Sequence, residues 1–200
     1  MDFRKLTSIL ALIAFAVTPT AAWGLASRDG ASLRPSGDRA VGDSFTLTLA
    51  GGEGPNEISI TMTADRKEYV VTANGDIEPF APCVNTSGKT TELRCPATAI
   101  NGFEVLAESG NDTVTVGKSV TVSTTLDGGP GIDDLTGGAN SDRIVGGSGI
   151  DKLIGRSGAD LLFGGGANDD LLGGSGKDIL RGGPGSDQLA GGPGRDDQRQ

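Results

Sequence analysis

Across residues 128–199 the apolar positions recur with a period of nine. Leu135, Ile144, Leu153, Leu162, Leu171, Leu180 and Leu189 occupy the eighth place of successive nine-residue units, and Gln198 ends the column. Upstream the period is two. Residues 45–49, 58–63, 69–73, 103–106, 113–116 and 120–125 alternate apolar with polar side chains and are rich in β-branched residues, which predicts strands. The mature chain contains no amphipathic helical pattern, so the fold class expected is all-β.

The period-nine segment reads GGPGIDDLT, GGANSDRIV, GGSGIDKLI, GRSGADLLF, GGGANDDLL, GGSGKDILR, GGPGSDQLA and GGPGRDDQR, in unbroken register. Its sixth place is always aspartate: Asp133, Asp142, Asp151, Asp160, Asp169, Asp178, Asp187 and Asp196. Each copy divides into a six-residue glycine-rich turn and a three-residue strand. So short a strand cannot bury a core alone, but stacked coils would merge the aliphatic column into one narrow core. Residues 107–115 (AESGNDTVT) resemble a degenerate first copy, with Asp112 at the aspartate place and Val114 at the aliphatic one. Whether Asp112 holds an ion is left open at this level.

The chain starts with a basic pair, Arg4 and Lys5, then an apolar run over residues 6–17 and small residues around Ala21 and Ala22. That is the plan of a secretory signal peptide over residues 1–26, cleaved after 22, 24 or 26. The run falls short of the ~20 residues a membrane span needs. Residues 27–40 read as a polar, disordered leader, residues 41–127 as a β-rich segment and residues 128–199 as the repeat domain. Cys83 and Cys95 are the only cysteines and are expected to pair in an exported chain. The alternatives are two free thiols or a metal site, and two thiolates without histidine make a poor zinc site.

Charge then determines the ligand class. The net charge is −9 with no basic cluster, which argues against nucleic acid. Rows of aspartates on strands ~4.8 Å apart repel, and only seven Lys and Arg follow Gly128, none at a fixed repeat place. A divalent cation between successive aspartates removes that repulsion. Carboxylates and carbonyls without nitrogen or sulfur specify a hard ion with 6–8 oxygens, which fits calcium better than magnesium.

The array resembles the RTX (repeats-in-toxin) nonapeptide family, with its GGxGxDxUx consensus. The resemblance implies a parallel β-roll, a right-handed solenoid with 18 residues per coil, in which calcium lies between stacked turns. It also implies the aspartate pairs Asp133–Asp151, Asp142–Asp160, Asp151–Asp169, Asp160–Asp178, Asp169–Asp187 and Asp178–Asp196, or about six full sites. Departures stand at Arg156 (second place) and at Asn140 and Ala167 (fourth place). The turn at residues 164–169 is therefore expected to be distorted, and the last coil at Gln198 to fray. Residues 41–127 are similar, more loosely, to exported bacterial calcium-binding proteins in which a solenoid-like segment precedes hemolysin-type repeats.

The function expected is an extracellular calcium-binding structural protein, with folding after export by the general route. Enzymatic activity is not expected. The chain has no histidine, hence neither an HExxH zinc site nor a Ser-His-Asp triad, and no GxSxG. A paired-carboxylate hydrolase remains open in form only. A third reading is adhesion or assembly. Arg143, Val145, Leu161, Phe163, Ile179 and Arg181 should point outward on one face, with Leu161, Phe163 and Ile179 forming an apolar cluster for self-association. The outward seventh place carries no threonine ladder, which opposes ice binding.

Overall fold

The computed structural model describes residues 45–75, 82–85 and 91–200. The expected signal peptide and leader lie outside the described residues. Two parallel sheets face each other across a thin core and are built in alternation as the chain winds. The first runs β1 (Phe45–Ala50), β5 (Ile100–Leu106), β7 (Ser123–Pro130), β9 (Arg143–Ser148), β11 (Leu161–Gly166), β13 (Ile179–Arg181) and β15 (Asp197–Arg199). The second runs β14 (Gln188–Ala190), β12 (Asp170–Ser175), β10 (Lys152–Ser157), β8 (Asp134–Thr136), β6 (Thr113–Val116) and β2 (Glu57–Met62). It ends in the antiparallel strands β3 (Glu68–Ala73) and β4 (Glu92–Pro96). The protein is all-β, a parallel solenoid of about 18 residues per coil. Among the described residues no helix is long and apolar enough to cross a membrane.

The aliphatic column is the core. Leu126, Leu135, Ile144, Leu153, Leu162, Leu171 and Leu180 are fully buried. Parallel register stacks them in two files, Leu126 on Ile144 on Leu162 on Leu180, and Leu135 on Leu153 on Leu171 on Leu189. Both files continue upstream of the repeats. Leu49 and Val105 precede Leu126, while Ile58 and Val114 precede Leu135. Strand β7 itself runs across residues 127 and 128, so the sheets pass from irregular sequence into regular repeat without a break. The core widens only at the antiparallel end, where Tyr69 meets Phe103 edge-on at 5.0 Å. There Cys83 and Cys95 are disulfide-bonded and buried.

Several expectations change in detail. Strands of the central repeats span six residues rather than three, because the hydrogen-bonded ladder runs on through the next glycine pair, as in Arg143–Ser148. Strand β4 was hidden in the cysteine loop, whose alternation (Leu93 and Cys95 inward) is only two buried residues long. The turn at residues 164–169 departs in backbone angle from the fourth-place φ of +131° to +157° at Gly149, Gly158, Gly176 and Gly185, yet it keeps its bond between coils. Ala167 takes φ +82°, and its N–H still bonds Pro184 O at 3.0 Å in the next coil. The last coil is not frayed. β15 pairs in register with β13, and the Gln198 amide, suitably oriented, donates to Leu189 O and accepts from Gly191 N–H, both at 3.0 Å. On the outward face, Leu161 sits beside Arg143 and Ile179, and Phe163 beside Val145 and Arg181. The Arg143 guanidinium lies 4.6 Å from the Phe163 ring centroid, so the apolar cluster is half-buried under a cation.

Candidate metal centre

Each aspartate follows a glycine turn and precedes a strand, which fixes its backbone. The carboxylate then folds back under its own turn. Two ladders result. Asp112, Asp133, Asp151 and Asp169 each donate a backbone N–H to the Oδ1 of the aspartate one coil further on, at 2.8–3.0 Å. On the opposite edge Asp142, Asp160 and Asp178 do the same, at 2.8–3.0 Å. The column aspartates from Asp112 to Asp178 are almost wholly buried.

Only one oxygen of each carboxylate is used in this way. Oδ2 of Asp112, Asp133, Asp151, Asp160, Asp169, Asp178 and Asp187 is buried without a hydrogen-bond partner. Buried polar atoms are nearly always paired, so a row of orphans marks a missing positive partner. The orphans of Asp133, Asp151, Asp160, Asp169 and Asp178 each face a carbonyl. A Cβ placed on Gly146 would lie 2.5 Å from Asp151 Oδ2 and 2.6 Å from Gly164 O of the next coil. Gly128, Gly155, Gly164 and Gly173 repeat this, with Oδ2 at 2.3–2.6 Å and the stacked carbonyl at 2.6–2.8 Å. Glycine is required at the first place because two oxygens converge on the space a side chain would fill. The fourth-place glycines pack as tightly: a Cβ on Gly149 would sit 1.6 Å from Gly131 O.

Burial without a counter-charge raises the carboxyl pKa values. Asp133, Asp151 and Asp160 are pushed up to about 6, chiefly by desolvation, with neighbouring aspartates of the column adding to the rise. Asp112, Asp169 and Asp178 shift the same way for the same reason. No group of three or more acidic, Cys or His side chains able to hold a metal lies together among the described residues. Each place offers two carboxylates one coil apart, so carbonyls must complete a set of 6–8 oxygens. That is an all-oxygen, negatively charged donor set, and it fits calcium.

The degenerate copy has the turn's positive-φ places, although Ala107 stands where the repeats carry the first glycine. Glu108 takes φ +71° at the second place and Gly110 φ +148° at the fourth. Asp112 is 1% exposed with an orphaned Oδ2, and it stands directly in line with Asp133. Both ladders begin at a neutral residue that sequence reading passed over. Asn56 donates its backbone N–H (2.6 Å) and Nδ2 (2.9 Å) to Asp112 Oδ1. Thr124 donates its N–H (2.7 Å) and Oγ1 (2.8 Å) to Asp142 Oδ1. Thr124 lies 18 residues before Asp142, so register alone could have found it. Asn56 lies beyond an insertion and could not be counted to.

Residues 123–153, 136–171, 145–180 and 163–197 match the family model of the RTX calcium-binding nonapeptide repeat, in four overlapping copies. No curated protein and no solved structure matches the chain. The stacked turns, the orphaned carboxylate row and the family match agree: residues 123–197 of this chain match the RTX calcium-binding nonapeptide repeat in sequence and stack as such repeats require.

Proposed function

We propose that this protein is exported and binds calcium along both edges of its roll, and that the ion converts a self-repelling chain into a rigid structural element. The observation that carries this reading is the row of buried, unpartnered Oδ2 atoms, those of Asp133, Asp151, Asp160, Asp169 and Asp178 set against a carbonyl of the next coil. Bound calcium supplies the positive charge between stacked carboxylates. The chain does the rest. Backbone N–H groups pin Oδ1 and so aim Oδ2, and the first-place glycines leave room for two oxygens to converge. The ligand set comprises Asp112–Asp133, Asp133–Asp151, Asp151–Asp169 and Asp169–Asp187 on one edge, with Asp160–Asp178 and Asp178–Asp196 on the other.

Export rests on the basic and apolar start of residues 1–26, and it agrees with the disulfide of Cys83 and Cys95. Extracellular modules commonly bind calcium at ~10⁻⁴–10⁻³ M. At such an affinity, ordering of the roll accompanies exit from the cell. The test is circular dichroism of the mature protein with calcium titrated in from excess chelator. A β-signal that rises with bound calcium supports the reading, and a full β-signal in chelator refutes it. A second reading, assembly through Leu161, Phe163 and Ile179, draws on their adjacency across β9, β11 and β13. Phe163→Ser, compared by solution mass in calcium, tests it.

A further inference from the structure

Asp142 breaks the pattern of its column. Its Oδ1 accepts from Thr124 N–H and Oγ1, and its Oδ2 accepts from Gly138 N–H at 2.7 Å. It is the one almost wholly buried column aspartate whose Oδ2 is not orphaned. The turn that precedes it is also unlike the others. Gly138, at the second place, is not among the residues with positive φ, whereas Gly129, Gly147, Gly165, Gly174, Gly183 and Gly192 at that place are.

The cause lies one coil on. The second place of the stacked repeat is Arg156, where the other seven copies carry glycine. Arg156 holds φ +77°, a conformation a bulky side chain takes only when something rewards it. Its Nη1 donates to Gly137 O at 2.9 Å and also to Val116 O. Gly137 O is a first-place carbonyl that faces the preceding coil of Thr124, whereas the carbonyl set against Asp142 Oδ2 itself is Gly155 O. Burial raises the Asp142 carboxyl as it does the others of its column; the Thr124 and Gly138 hydrogen bonds and the guanidinium charge oppose that rise, whereas the charged neighbours of Asp133, Asp151 and Asp160 are other aspartates, which add to it. The residue preceding Asp142 in its ladder is neutral Thr124, so Asp142 has a stacked carboxylate on one side only, that of Asp160.

We propose that Arg156 is a built-in cation that replaces calcium at the start of this edge, so that the Asp142 turn takes no ion and is ordered by the chain itself. This rests on the calcium reading above, and it makes the two edges unequal: ions between Asp112 and Asp187 on one, only from Asp160 onward on the other. A guanidinium holds carbonyls through directed N–H bonds and stays charged throughout the accessible pH range. The coil joining residues 116, 137 and 156 therefore keeps its charge balance in chelator, and it gives the calcium-dependent coils a formed edge on which to stack.

The test is bound-calcium stoichiometry of the full mature protein, by equilibrium dialysis and elemental analysis, for wild type, Asp142→Asn, Asp151→Asn and Arg156→Gly. Asp142→Asn should leave the count unchanged, whereas Asp151→Asn should lower it by at least one. Arg156→Gly restores the repeat consensus and should raise the count by one. A lower count in Asp142→Asn overturns the proposal while leaving the calcium reading intact. So does an unchanged count in an Arg156→Gly protein that shows the wild-type β-signal. If Arg156→Gly does not fold, the Asp142→Asn and Asp151→Asn comparison decides alone. A wild-type count of zero overturns the calcium reading and this proposal with it.

Discussion

The backbone N–H of Asp151 donates to Oδ1 of Asp169 at 2.9 Å, one coil further on. This bond gives each carboxylate two separate duties: one oxygen ties its turn to the previous coil, and the other is left for a cation. Asparagine at the same place retains the first duty, because its Oδ1 still accepts, but loses the charge.

Asp151→Asn should therefore fold in calcium yet bind it less well. Asp151 serves two stacked pairs, Asp133–Asp151 and Asp151–Asp169. The calcium midpoint of the β-signal should rise on the order of 10–100-fold, as for losses at other metal sites. Calcium titration followed by circular dichroism measures it, and an unchanged midpoint would remove Asp151 from the ligand set.

Without calcium, stability should fall as pH rises. Asp133, Asp151 and Asp160 titrate near 6 in the folded chain against an ordinary 3.8, so the folded state holds more protons between those values. Its advantage is complete at pH below about 4 and is lost as pH climbs through about 6. The exposed Asp65 and the half-buried Asp197, held low by Thr63 and by Arg181, oppose this weakly. In chelator, the thermal midpoint at pH 5 should exceed that at pH 7, and calcium binding near pH 6 should release protons. A midpoint that drops on acidification contradicts the burial of uncompensated carboxyls.

Two glycine-to-alanine changes should separate sharply. Gly149 has φ +131°, and a Cβ there would meet Gly131 O at 1.6 Å, whereas a Cβ on Gly166 would meet nothing within 4 Å. Gly149→Ala should destabilise the roll by roughly 2–5 kcal/mol, from backbone strain and overpacking together. Gly166→Ala should stay within about 0.5 kcal/mol of wild type. Denaturant unfolding in saturating calcium distinguishes them.

Removing the disulfide should act at one end of the molecule only. Cys83 and Cys95 enclose a short loop, 12 residues apart in sequence, on the antiparallel strands. The double serine variant should lose up to ~3 kcal/mol by the chain-entropy account. The calcium count should not change, because neither cysteine approaches a ladder. A reduced count would mean that this end governs the roll's register.

A nine-residue sequence period carried the roll by itself. Within the repeats the aliphatic column had to be the core because nothing else there could be, and an aspartate every nine residues had to face a cation. Asp133 through Asp196 were legible for that reason, as were the outward neighbours of Phe163. What sequence could not carry was the state of each individual carboxylate. Gly138, Thr124 and Arg156 sit 4, 18 and 14 residues from Asp142, and only coil-on-coil stacking brings their donors and charge to bear on it. Ala167 shifts the backbone of its turn, yet that turn keeps its bond to the next coil and its orphaned carboxylate oxygen. The turn at Asn140 differs in its carboxylate, because Gly138 engages it and a side chain from the next coil engages the turn. Periodicity states what every repeat shares, and the three-dimensional stack determines where one repeat is exempt.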